Sequence, residues 1–84
     1  MPQSQSSPAI ILRTRPYGDI DVIATFLTQD FGKLTGIAKG AKHSKRRFVN
    51  CLDPFSRVRV FFRLKPGSTL AFLERCELLH SGFG

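Results

Sequence analysis

The chain has 84 residues and a formal net charge of +7, with a sequence pI near 10.3. A single domain of this size buries only about 60–65% of the surface that its unfolded chain exposes, so it has little volume for an enclosed active site. No apolar run reaches the ~18–20 residues that span a bilayer. The polar start MPQSQSSP also lacks an apolar signal region. We therefore expect a cytoplasmic protein without membrane contact.

The first half of the chain predicts three strands. Residues 1–8 are rich in Gln, Ser and Pro and are predicted to be a disordered N-terminal tail. Ala9–Arg15 is predicted as the first strand, and the β-branched and aromatic segment Asp21–Thr28 as the second. Lys33–Ala41 is predicted as the third strand. The connection over residues 29–32 makes a hairpin of the second and third strands the natural pairing.

A short helix of two turns is predicted from Ser44 to Leu52. Ser44 can cap its start, Phe48, Cys51 and Leu52 share one face at i, i+3 and i+4, and Pro54 ends the segment. Basic residues in the first turn oppose the helix dipole. That local cost is tolerable if those cations bind a ligand.

The clearest alternation in the chain predicts a fourth strand, Arg57–Lys65, with an apolar inner side and a cationic outer side. A turn at residues 66–68 leads to a fifth strand, Thr69–Leu79. Glu74 falls on the apolar parity of that strand, so either a bulge intervenes there or the strand has already passed the core. Leu73 is predicted to be more exposed. The predicted core residues are Ile10, Leu12, Val58, Val60, Phe62, Leu70 and Phe72.

Five strands with a short helix between the third and fourth are typical of the OB-fold, a small Greek-key barrel used for oligonucleotide binding. The alternative is an SH3-like barrel, which also has five strands but lacks an equivalent helix. We therefore predict an all-β, five-stranded OB-fold barrel over residues 9–80. Residues 81–84 are expected to be a truncated C-terminal end.

The segment KLTGIAKGAKHSKRR, residues 33–47, contains no acid and is called the basic segment. Small residues and clustered cations suit a surface pressed against a polyanion, of which nucleic acid is the commonest. The alternative is a solvated run of charges, whose exposed ion interactions add little stability. The candidate DNA-binding residues of this segment are Lys33, Lys39, Lys42, Lys45, Arg46 and Arg47.

Two further groups of cations accompany the basic segment. Arg13 and Arg15, on the outer face of the first strand, either extend the nucleic-acid site or protect the edge of the sheet, and both interpretations stay open. A second cationic face comprises Arg57, Arg59, Arg63 and Lys65. Its position relative to the basic segment depends on the geometry of the barrel.

Few aromatic side chains are predicted to be available for stacking on bases. Tyr17, Phe48 and Phe61 are the only candidates, and packing is the better interpretation for Phe48. With few stacking residues, we expect binding through the phosphate backbone, independent of sequence.

Nothing in the sequence indicates catalysis or a cofactor. The two histidines, His43 and His80, have no carboxylate or cysteine partner at metal-ligand spacing. Cys51 and Cys76 lack the spacing of a zinc site and are too few for a disulfide scaffold, so we expect two small buried hydrophobes. We expect no enzyme, no catalytic residue, no metal site and no cofactor.

Three stretches together resemble the N-terminal domain of the RecO family of bacterial recombination mediators. They are ILRTRPYGDID at residues 11–21, FGKLTGIAKGAK at residues 31–42 and LDPF at residues 52–55. The resemblance extends over residues 9 to about 80. Its most specific part is Gly32 to Lys42, and Asp19 is a small departure where Glu or another polar residue is expected.

The resemblance implies an OB-fold that binds single- and double-stranded DNA and promotes annealing of complementary strands. It also implies that the protein works with RecR and single-strand-binding protein to load recombinase. This role would belong to the RecF pathway of DNA repair, at the bacterial nucleoid. Family members are longer, with a helical C-terminal region and often a cysteine-ligated zinc site, and the contact with single-strand-binding protein is expected through that region. Two alternatives stay open: a protein-docking module for RecR or single-strand-binding protein, and an RNA-binding barrel.

Overall fold

In the computed structural model, five strands close into one barrel. The structure describes residues 4–44, 48, 51–64, 66–67 and 70–80. The strands are β1 (Ser4–Tyr17), β2 (Asp21–Thr28), β3 (Gly32–Ala38), β4 (Arg57–Arg63) and β5 (Leu70–His80), and a 3-10 helix (Ala41–His43) follows β3. The order around the barrel is β1-β2-β3-β5-β4. This architecture confirms the predicted OB-fold.

The long strand β1 joins the two halves of the barrel. Its first part pairs with β4, from Ser4 opposite Arg63 onwards, and its later part pairs with β2 up to Tyr17 opposite Asp21. β2 has the predicted bounds and forms the predicted antiparallel hairpin with β3. A short parallel pairing of β3 with β5 and an antiparallel pairing of β5 with β4 complete the barrel.

The prediction of a mobile tail over residues 1–8 is wrong for residues 4–8, which belong to β1. Ser7 is buried in that part of the strand, and its hydroxyl oxygen accepts a hydrogen bond from the Asp30 amide at 3.2 Å. Small polar residues carry no apolar alternation, so the pattern could not show that they pair with a strand distant in sequence. Residues 1–3 and 81–84 lie outside the described part of the chain.

The predicted helix from Ser44 to Leu52 does not begin where expected. The 3-10 helix Ala41–His43 stands earlier, and Ser44 ends it with extended backbone instead of capping a new helix. Residues 45–47 and 49–50 of the predicted helix lie outside the described residues. Phe48 and Cys51 form a turn, in which the Cys51 amide donates to the Phe48 carbonyl at 3.2 Å. Both side chains are buried, as their spacing predicted.

Three aromatic rings pack together, and those of Phe26 and Phe62 are fully buried in the barrel. The Phe62 ring lies 6.2 Å from that of Phe26 and meets that of Phe31 edge-on at 5.3 Å, measured between centroids. Gly36 allows β3 to pass close to this core, since a Cβ there would lie 3.2 Å from Leu73 Cγ. The core cluster consists of Ala9, Ile11, Ala24, Phe26, Ala38, Phe48, Cys51, Val58, Val60, Phe62, Ala71, Leu73 and Cys76.

The predicted inner face is confirmed for β4, where Val58, Val60 and Phe62 are fully buried. It is wrong for β1 and β5. Ile10, Leu12 and Phe72 are only partly buried and Leu70 is exposed, whereas Ile11 and Leu73 are fully buried.

Two bulges explain these errors, because a shift of one residue exchanges the two faces of a strand. In β1 the pairing with β2 skips Leu12, between Ile11 and Arg13. In β5 the pairing skips Glu74, since Phe61 lies opposite Arg75 and Phe62 opposite Leu73. The bulge that Glu74 suggested is therefore confirmed.

The two cysteines are free and buried, as predicted. The Cys51 thiol donates to the Cys76 carbonyl at 3.2 Å. Burial raises the pKa of both thiols, most strongly that of Cys76, where the neighbouring Cys51 adds to the effect. Neither thiol is therefore a nucleophile in the folded chain.

These raised pKa values predict that stability falls in alkali. Above a pH of about 8.5 the thiols ionise more readily in the unfolded chain than in the folded one, so the free energy of unfolding decreases with pH. The expected decrease is up to ~1.4 kcal/mol per thiol for each pH unit. Urea denaturation between pH 8 and 9.5 measures it, with Cys76→Ala expected to flatten the profile. A wild-type profile without slope contradicts this expectation.

Candidate nucleic-acid interface

The outer face of β1, β2 and β3 carries a shallow groove with arginines along one side. The bulge at Leu12 turns Arg13, Arg15 and Tyr17 outward, and all three are exposed. Across the sheet, Arg13 lies opposite Thr25, which pairs in turn with Thr35, and the two threonine hydroxyls are 3.5 Å apart. We call this the arginine groove, lined by Arg13, Thr14, Arg15, Ile23, Thr25 and Thr35.

The arginines of this groove are available to a ligand. Within the described residues, neither Arg13 nor Arg15 forms an ion pair with a carboxylate. The two residues are two positions apart on one strand, a separation of about 7 Å. A guanidinium presents several donors in a planar fork that matches the oxygens of a phosphate. The groove can therefore bind successive phosphates along a nucleic-acid backbone.

The first residue of the basic segment shares the outer face of the arginine groove. Lys33 is exposed on β3, two positions from Thr35, and pairs with Leu27. Further along, Lys42 is exposed, and its amide donates to the Ile20 carbonyl at 3.0 Å. This bond attaches the segment to the turn between β1 and β2, at the same end of the barrel as Tyr17.

Lys39 and Asp21 anchor the basic segment to the barrel. The Lys39 ammonium lies 3.6 Å from Asp21 Oδ2, and the other carboxylate oxygen of Asp21 accepts a hydrogen bond from the Gly40 amide at 2.7 Å. Lys39 therefore contributes to positioning the segment. Lys45, Arg46 and Arg47 lie outside the described residues, so their role stays a prediction.

The second cationic face, on β4 and β5, is partly compensated by acids. Arg63 Nε lies 3.5 Å from Glu74 Oε2, and Arg75 donates to Glu77 at 2.7 Å. Arg59 lies opposite Glu77 in the register of β4 and β5, and the Arg57 side chain is exposed at the start of β4. Lys65 lies outside the described residues. These acids reduce the field that the face offers to a polyanion, whereas the arginine groove has no acid among its lining residues.

The aromatic residues considered for stacking on bases differ in their exposure. Phe48 is buried, and the Arg75 guanidinium lies 3.8 Å from the centroid of the Phe61 ring, so both are poor stacking surfaces. Tyr17 is exposed over 53% of its surface. The sequence reasoning missed Phe55, which is 66% exposed and has a positive φ of 67°. Phe55 directly follows Asp53-Pro54, a turn-forming pair, and this position in a turn was the sequence signal for its exposure.

The described residues contain neither a metal-binding cluster nor a membrane-spanning helix. No three His, Cys, Asp or Glu side chains among them come together as a group that could hold a metal ion. In the same part of the chain, no helix has the length and apolar character needed to cross a membrane.

Comparison with known proteins gives one consistent result. The family model described as "Recombination protein O N terminal" matches residues 1–82. The chain is 43% identical over 77 residues to the DNA repair protein RecO of Syntrophus aciditrophicus, covering 92% of this chain and 30% of that protein. It is 49% identical over 71 residues to the RecO protein of Syntrophobacter fumaroxidans, covering 84% of this chain and 28% of that protein.

The match is confined to one part of these longer proteins. The RecO protein of Koribacter versatilis is 40% identical over 77 residues, covering 92% of this chain and 32% of its own length. The chain thus spans about 30% of the length of the curated relatives it matches. The strand order, the matched family model and these identities agree, and the chain belongs to the RecO N-terminal domain family.

Proposed function

We propose that this chain is the DNA-binding barrel of a RecO-type repair protein and binds single- and double-stranded DNA irrespective of sequence. The observation that carries the proposal is the arginine groove, where Arg13 and Arg15 have no carboxylate partner within the described residues. Exposed Lys33 and Lys42 extend the cationic surface on either side. The relatives' name as DNA repair proteins favours DNA as the polyanion.

Sequence-independent binding of DNA depends on contacts between cations of the protein and phosphates. Each cation that neutralises a phosphate releases condensed counterions, and this gain does not depend on the bases. A barrel with a net charge of +7 also lowers the repulsion between two strands that it binds together. Promotion of strand annealing follows from that lowered repulsion, without any catalytic group.

The wider role belongs to the longer protein. This chain corresponds to about 30% of its relatives' length, so we assign to it the contact with DNA. Recombinase loading together with RecR and single-strand-binding protein would use the remaining part, with the latter partner bound there. The complete protein would act in the bacterial cytoplasm, at the nucleoid.

A salt titration tests the proposal. Fluorescence anisotropy of labelled oligonucleotides, single-stranded and duplex and in two unrelated sequences, is measured between about 50 and 200 mM salt. Removal of two phosphate contacts by Arg13→Gln with Arg15→Gln should flatten the single-strand slope of log affinity against log salt by about 1.4. The loss should be the same for both sequences.

Arg63→Gln with Arg75→Gln is the matched control, because it removes the same charge from the compensated β4–β5 face. Its slope should equal that of the unsubstituted chain. An equal change in both double variants would mean that overall charge, and not the groove, governs binding.

Competition separates the alternative functions. An acidic peptide and single-stranded DNA are titrated separately and then against each other at moderate salt. Binding of the peptide without binding of DNA would favour a protein-docking module. A preference for RNA of the same sequence, through its 2′-hydroxyls, would favour the RNA-binding alternative.

A further inference from the structure

Two exposed aromatic residues lie along β1, one on each side of Arg13 and Arg15. Tyr17 follows Arg15 by two positions on the same outward face of β1. Before the arginines, the Phe55 amide donates to the Ile11 carbonyl at 2.7 Å, so the Phe55 backbone lies against β1 just before the bulge that precedes Arg13. At about 3.3 Å per strand residue, the line from Ile11 to Tyr17 is about 20 Å long. Along it the order is aromatic, arginine, arginine, aromatic.

The rings of Tyr17 and Phe55 are exposed to solvent. Tyr17 and Phe55 are the most exposed aromatic side chains among the described residues, at 53% and 66%. Within that part of the chain, neither ring contacts another ring or a cation. Phe61, in contrast, is covered by Arg75. Packing of the barrel therefore does not account for the rings of Tyr17 and Phe55.

The backbone at Phe55 adds an independent observation. Its φ of 67° lies in the left-handed region, where a Cβ causes strain and glycine is the favoured residue. The position nevertheless carries a large apolar ring that points mostly into solvent. A strained position that holds an exposed aromatic residue suggests a ligand contact.

We propose that Tyr17 and Phe55 stack on unpaired bases at the two ends of the arginine groove, so that the barrel prefers single-stranded DNA to duplex. The inference rests on the proposed DNA binding. Arg13 and Arg15 bind the phosphates between the two stacked bases. In a duplex the base faces are already stacked on each other, and only the phosphate contacts remain.

Tyrosine fluorescence reports directly on one end of this site. The chain contains one tyrosine and no tryptophan, so its intrinsic emission comes from Tyr17 alone. Saturating single-stranded oligothymidine should quench this emission, whereas a duplex or an abasic strand of the same length should not. Binding of oligothymidine by anisotropy without any quenching would overturn the assignment of Tyr17.

Substitutions test the other end. Phe55→Gly removes the ring and suits the left-handed backbone, and Phe55→Ala removes the ring while keeping the strain. Both should lower the affinity for single strands roughly 5- to 150-fold, the value of one stacked base. The affinity for duplex and the salt slope should not change, because phosphate contacts are kept. Tyr17→Leu should behave in the same way.

Phe61→Leu is the matched control, since it alters an aromatic residue already covered by Arg75, and it should leave single-strand affinity unchanged. If the unsubstituted chain binds no DNA, the proposed function fails. If it binds DNA but the Tyr17 and Phe55 variants keep its single-strand affinity, the stacking inference alone fails. The rings would then cover a polypeptide surface.

Discussion

Replacing Phe62 with alanine should lower the free energy of unfolding by ~3–5 kcal/mol. Phe62 is fully buried, and its ring packs against those of Phe26 and Phe31. Its loss removes apolar contacts and leaves a cavity at the centre of the barrel. A domain of this length has a total stability of roughly 4–12 kcal/mol, so the variant should be close to unfolding. Urea denaturation followed by circular dichroism measures the change.

Phe61→Ala is the control for this prediction, because it changes the same residue type one position away on the opposite face of β4. Phe61 is partly exposed and contacts Arg75. Its truncation should cost roughly 1 kcal/mol, near the centre of the range for ordinary substitutions. If Phe61→Ala were the more damaging of the two, the register of β4 would be shifted by one residue.

Removal of the five later cations of the basic segment should abolish DNA binding at physiological salt. If Lys39, Lys42, Lys45, Arg46 and Arg47 each neutralise one phosphate, their loss flattens the single-strand salt slope by about 3.5. At about 0.1 M salt this corresponds to roughly a 10³-fold loss of affinity. The double variant Arg46→Ala with Arg47→Ala should flatten the slope by about 1.4, equally for any sequence. Anisotropy titrations measure both effects.

Two controls accompany this experiment. The thermal unfolding midpoint should stay near that of the unsubstituted chain, since exposed cations contribute little to stability. A second variant keeps Lys39 and removes the other four cations. Because its ion pair between Lys39 and Asp21 is intact, a loss of affinity in this variant comes from lost contacts to DNA and not from a displaced segment. Full slope and affinity after removal of these five cations would exclude the basic segment from the DNA path and leave the arginine groove or the β4–β5 face to bind DNA.

The fold was predictable where side-chain alternation is regular and local. β4 has the predicted inner face, because its apolar residues alternate with arginines except at Phe61. β2 has the predicted bounds, because its β-branched and aromatic residues lie between two turns. The run Ile10-Ile11-Leu12 offers no such contrast, since all three residues are apolar. Only the bulge at Leu12, a property of the pairing with β2, decides which of them enters the core.

The candidate site was predictable in its charges but not in its aromatic part. Arg13 and Arg15 were expected on the outer face, and both are exposed there. Phe55 carried no periodic signal, because its exposure follows from a left-handed backbone in a turn outside the strands. The pairing of Arg63 with Glu74 also depends on a bulge, which is why the compensation of the second cationic face was not apparent from sequence.

The closure of the barrel has a consequence for the order of folding. β1, β2 and β3 are joined by short turns and form contacts between residues near in sequence. In contrast, Ser4 pairs with Arg63 and Thr35 pairs with Leu70. Each of these closing contacts brings together residues far apart in sequence, so the long chain segment between them loses conformational entropy when the contact forms. Contacts of this range slow folding. The meander that bears the arginine groove can therefore assemble early, and β4 and β5 complete the barrel in the slow step.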